Sequence, residues 1–125
     1  MYADFEYYSQ THNGTMTEGE AVKALEQASR HIDTLTYNRI VGKGFENLTA
    51  FQQNIIKECT CEMADFEHQN ADMINSLINS YSINGASISF SGDSANVSVV
   101  SGIVVQRDTY AYLNQTGLTS RSLGV

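Results

Sequence analysis

Two cysteines stand one residue apart in Cys59-Thr60-Cys61, and Asp65 and His68 follow them. Thiols, a carboxylate and an imidazole are the side chains that hold a zinc ion or carry redox chemistry. Helical spacing decides against both. Residues two apart point about 200° away from one another, so the thiols neither share an ion nor pair. Cys59 falls on an apolar stripe and reads as a small buried hydrophobe. Cys61, Asp65 and His68 follow at steps of four and three along the opposite face, with ends about 10 Å apart by helical rise. That face reads as solvated and polar, and no metal or cofactor is expected.

His12 and His31 have no partner evident in the sequence, and no nucleophile elbow, HExxH or paired-carboxylate pattern appears. The stretch Ser80–Phe90, SYSINGASISF, contains a glycine, but a phosphate loop would need Gly-Lys-Ser/Thr at a helix start. No lysine occurs from Asn79 to Val125. A non-enzymatic protein is expected. Glu58, Glu62, Asp65 and Asp72 form an acidic row on one flank of a helix. The row reads as a solubilising surface, or as a like-charged ring made when copies assemble.

The elements that must position these residues are mostly helical. Tyr2 to Tyr8 places Phe5 and Tyr8 three apart and is stopped by His12-Asn13-Gly14, which predicts a short N-terminal helix. Thr17-Glu18-Gly19-Glu20 has the spacing of a capping box, and Val22, Leu25, Ala28, Ile32 and Leu35 follow it as one buried stripe ending near Thr36. Asn38 to Asn47 lacks periodicity and reads as a connector. Thr49-Ala50-Phe51-Gln52 repeats the capping spacing, and Phe51, Ile55, Cys59, Met63, Phe66, Ile74 and Leu77 continue one long stripe. Asn70 interrupts it as a bend, a helix end or a buried amide with a partner.

In SYSINGASISF, Tyr81, Ile83, Ala86, Ile88 and Phe90 alternate with polar residues about Asn84-Gly85. This predicts a two-residue β-hairpin with its apolar side chains on one face. Such a ribbon has an open edge and needs a neighbour. Val97 and Val99 supply it as a third strand, or another copy of the protein does. Ser91 to Ala95 reads as a loop. A last helix over 103–116 turns Val105, Tyr112 and Leu113 inward and is capped by Gly117. The expected architecture is therefore mainly α: a small helical bundle in one domain, 1–125. Residues 1–78 are helical, 80–100 form the hairpin and loop, and 117–125 form a tail that docks on a partner or folds over its own helices.

At 125 residues the chain is the size of one domain, and its mean hydropathy of −0.26 suits a folded soluble protein. Seven Lys and Arg against 14 Asp and Glu give a net charge of −7, which opposes tight binding to a phosphate backbone. MYADFEYYSQ has neither the charge nor the apolar run of a secretory signal, and no membrane-spanning run appears. A cytosolic protein without disulfides is expected, and its four glycosylation-like triplets read as chance matches. Six of the seven tyrosines cluster near the ends and the expected hairpin, either at interfaces or at the rim of the protein's own core.

The succession YADFEYYSQ, ASRHIDTLTYNRI, LTAFQQNIIKECTCEMADF, YSINGASISF and YLNQTGL with trailing Arg121 spans nearly the whole chain. In that order it resembles the head-tail connector, or adaptor, proteins of tailed bacteriophages and related prophages. Ser91 to Gly102 is longer and richer in valine than the family's glycine-rich loop, and Val104-Val105-Gln106 replaces more helix-favouring residues. The resemblance implies a structural virion protein at the neck, made in the host cytoplasm. It would assemble as a homo-oligomeric ring, dodecameric in the family, beneath the portal protein. The ring would extend the DNA channel and offer a platform to a stopper or tail completion protein, touching DNA only by its passage and no membrane. The resemblance further implies portal contacts through Leu118, Arg121, Leu123 and Val125. Neighbour or next-ring contacts would come from Tyr81, Ile83, Asn84, Gly85, Ile88 and Phe90, and the acidic row Glu58, Glu62, Asp65 and Asp72 would face the channel. The alternatives are a stopper or tail-terminator ring of the same neck, which would be richer in strand, and a small phage regulatory protein.

Overall fold

The computed structural model describes residues 1–84 and 96–120. Helix α1 spans Phe5–Gln10, with the Asp4 carboxylate accepting from the Tyr7 amide at 2.8 Å. Helix α2 (Glu18–Leu35) and helix α4 (Ala50–Gln69) both start at the expected capping boxes. Thr17 Oγ1 accepts from the Glu20 amide at 3.4 Å while Glu20 Oε1 accepts from the Thr17 amide at 3.2 Å. Thr49 and Gln52 exchange the same two bonds at 3.1 Å each. Each box satisfies amides that a helix start would otherwise leave unpaired.

Between these helices the expected connector contains a turn of helix, α3 (Arg39–Lys43), and a 3-10 turn at Phe45–Asn47. Tyr37 and Asn38, at φ 55° and 57°, stop α2 with two successive left-handed residues. A five-residue helix is too short to display a 3.6 period, which is why the segment looked aperiodic. Asn70 proves to be a helix end. Its Nδ2 donates to the Phe66 carbonyl at 3.0 Å, and its own carbonyl accepts from Ile74 to open α5 (Ala71–Asn84).

The hairpin lies elsewhere than the sequence suggested. Tyr81, Ile83 and Asn84 belong to α5, not to a strand, and Gly85, Ile88 and Phe90 lie outside the described residues. Ile74, Leu77, Ile78 and Tyr81 follow at steps of three, one and three, so a helical stripe runs into SYSI and overrides the short alternation read there. The described ribbon pairs β1 (Val97–Val100) with β2 (Ile103–Gln106), antiparallel, with Val100 opposite Ile103. Its two-residue turn, Ser101-Gly102, has φ 52° and 81°, the double positive φ such a turn requires. Val104 and Val105 therefore sit in a strand, as β-branched residues favour, and the last helix, α6, starts later, at Arg107–Asn114.

Helix α4 is central, with α2, α6, α5 and β2 packed around it. The main core includes Tyr8, Leu25, Ile32, Ile55, Ile56 and Leu113, and a smaller cluster holds Phe66, Val97 and Val104. Two residues of the expected stripes differ. Phe51 is 59% exposed in the first turn of α4, and Ala21 is buried where Val22 was expected.

Candidate functional site

The acidic row on α4 is met by its own chain. Tyr7 Oη donates to Glu58 Oε1 at 2.6 Å, and Tyr8 Oη donates to Asp65 Oδ1 at 2.6 Å while accepting from the Met16 amide at 3.0 Å. The His12 ring lies between two carboxylates, with Nε2 2.7 Å from Asp65 Oδ2 and Nδ1 3.6 Å from Glu58 Oε2. On the α6 side, Thr109 Oγ1 donates to Glu62 Oε1 at 2.8 Å. Only Asp72, in the first turn of α5, is an exposed member of the row. Thus Glu58, Glu62 and Asp65 tie α1, the loop after it and α6 to the central helix.

This seam also explains the burial of Cys61, which the sequence placed on a solvated face. Packing on both sides of α4 buries Cys59 and Cys61 completely. Burial, then the nearby Glu58 and Asp65, push the Cys61 thiol up to about 12, and burial with Glu62 and Glu58 pushes Cys59 up as well. A thiol so held is protonated and out of contact with solvent at neutral pH, the reverse of a catalytic cysteine. The Tyr7 phenol is likewise pushed up, by burial and by its bond to Glu58. Gly14 closes the seam over Tyr8: a Cβ there would stand 1.9 Å from Tyr8 Cζ.

A second site forms where the chain leaves α6. Gly117, at φ 77°, turns the backbone as expected, and Leu118 enters the main core at 5% exposure. Arg39 Nη1 donates to the Leu118 carbonyl at 3.1 Å, and Gln52 Nε2 donates to the Thr116 carbonyl at 3.0 Å. Thr119 Oγ1 donates to Asn114. Leu118 is therefore an anchor in its own fold, while Arg121, Leu123 and Val125 lie outside the described residues.

The elements gripping this stretch carry exposed apolar side chains: Tyr37 after α2, Val41 on α3 and Phe51 on α4, at 44%, 64% and 59% exposure. The Arg39 guanidinium also lies over the Tyr37 ring, 5.1 Å from its centroid. Sequence reasoning missed Tyr37 and Val41, for which no periodic signal exists. It placed Phe51 inside because Phe51 precedes Ile55 by one helical step. His12 and its carboxylates were missed because the partners lie 53 residues apart in sequence for Asp65.

Among the described residues, no group of three or more His, Cys, Asp and Glu is arranged to hold a metal ion, and no helix is long and apolar enough to cross a membrane. Comparisons of the chain with family models, with curated proteins and with solved structures return no match.

Proposed function

We propose that this chain is a structural head-tail connector of the tailed-bacteriophage type, a ring-forming adaptor that joins the portal to a stopper or tail component and prolongs the DNA channel. The succession of segments resembling that family supports the reading. So does the mainly helical fold, which fits an adaptor better than a strand-rich stopper or tail terminator. The observation that carries it is the anchored C-terminal stretch: bonds from Arg39 and Gln52 hold the backbone at Leu118 and Thr116. A segment that departs after Ser120 therefore starts from a stretch bonded to the fold at Thr116, Leu118 and Thr119, as a docking segment needs.

In this reading Arg121, Leu123 and Val125 reach the portal, and Leu118 holds the base of that segment. Tyr81 to Phe90 meets the neighbouring subunit or the next ring, with Tyr81, Ile83 and Asn84 belonging to α5. Asp72 is the carboxylate freest to line a channel, and Glu58 and Asp65 add the 30% and 25% of their side chains that stay exposed. Like charge along a channel keeps DNA from adhering.

Negative-stain electron microscopy of the chain mixed with the portal protein of the same genome tests this directly. A ring seated on the portal is expected, and failure to form any complex overturns the connector reading. Truncation after Ser120 spares Leu118 and its bonds. It should abolish seating while leaving the helical circular-dichroism signal unchanged, and undiminished seating would remove the C-terminal segment from the interface.

A further inference from the structure

Glu67, in the last turns of α4, is the most enclosed carboxylate of the described ion pairs. Its side chain is 9% exposed. Oε2 lies 2.5 Å from His31 Nδ1 on α2, while Oε1 is shielded from solvent and has no hydrogen-bond partner. Buried carboxylate oxygens without a donor are rare and costly in folded proteins, so this one calls for a donor from outside the described contacts.

Glu67 also forms the wall between two clefts. One, of about 320 Å³, opens toward Glu20, Lys23 and His68, yet Lys23 forms no ion pair with Glu67. The other, of about 250 Å³, runs between α2, α5 and the hairpin turn. Gln27, His31 and Asn75 are polar on its lining, and Ile74, Ile78, Ile103 and Val104 supply an apolar side. A carboxylate in the lining of a partly apolar cleft, with side-chain amides on the same lining, is complementary to one kind of side chain. It would be a planar, multiply donating cation on an aliphatic stem.

We propose that the α2–α5–hairpin cleft is a docking site for an arginine side chain of a partner protein, with Glu67 receiving the guanidinium. The stem lies along Ile74, Ile78 and Ile103, and Gln27 and Asn75 flank the entrance. Because Glu67 Oε1 is shielded from solvent, the fork reaches it only when the His31 ring, 30% exposed, shifts aside, and that ring is therefore the reporter. Because the assay needs only the isolated chain, its result is separable from that of the portal experiment.

The full chain is titrated with Nα-acetyl-arginine amide and, separately, with the neutral isostere Nα-acetyl-citrulline amide, up to ~50 mM, the range in which a millimolar contact is read. NMR signals of His31, Gln27 and Ile103 are followed. Arginine is expected to shift them at least about three-fold further than citrulline, and Glu67→Gln is expected to remove that difference. Equal shifts from both compounds, no shift at these residues, or an arginine response retained in Glu67→Gln would each overturn the proposal. The citrulline arm decides even if the variant fails to fold.

Discussion

Helices α4 and α5 follow one another across a single residue, yet they are stabilised differently. α4 buries eight of its 20 residues and its carboxylates are held from α1, α2 and α6. No residue from 71 to 79 on α5 is fully buried, and the cluster it joins has three buried members, Phe66, Val97 and Val104. One region combines a dense interior with polar cross-links, and the other is a thin apolar contact. Local opening costs least where buried contacts are few. Helix α5 should therefore open well below the free energy that unfolds the body, while β2, which sends Ile103 and Val105 into the main core, stays closer to the body.

Ile56→Ala gives the largest expected effect on this contrast. Ile56 is wholly buried in the main core, and the substitution should cost about 2–5 kcal/mol of global stability, read from urea unfolding. A loss below about 1 kcal/mol would show the body packed no more tightly than the α5 contact. Tyr8→Phe isolates the polar seam. It keeps the ring but removes the donor to Asp65 and the acceptor for the buried Met16 amide, for an expected cost of about 1–3 kcal/mol. An unchanged midpoint would mean that apolar contact alone fixes α1. Val104→Ala, in the small cluster, should cost roughly 1–2 kcal/mol and do so locally. Hydrogen exchange is expected to quicken in β1, β2 and α5 while α2 keeps its protection. Equal quickening everywhere would merge the two regions into one cooperative unit.

Much of the body is legible in the sequence because its signals are local. Thr17-Glu20 and Thr49-Gln52 mark their helix starts within four residues, and the stripe through Leu25, Ala28, Ile32 and Leu35 repeats often enough to fix a face. Gly117 was legible as the left-handed residue that turns the chain after the last helix, although α6 itself ends earlier, at Asn114. The seam was not legible: Tyr7 and Glu58, or Tyr8 and Asp65, meet only through tertiary packing, and nothing in a helical period reveals it. Cys61 shows the same limit, since a second buried face on α4 exists only because other helices cover it. SYSINGASISF misled because five alternating residues fit a strand, while its first residues also extend a helical stripe begun at Ile74. The turn of the described ribbon is Ser101-Gly102.

The junction at Asn70 has a mechanical consequence. The amide of Asn70 closes the last turn of α4 and its carbonyl opens the first turn of α5, so one φ/ψ pair sets the direction in which α5 leaves α4. The 14 residues of α5 make a rod about 21 Å long, and a pivot of only about 10° at its base carries the far end through about 4 Å. The molecule thus has a pointer whose tip can be re-aimed by a contact near its fulcrum.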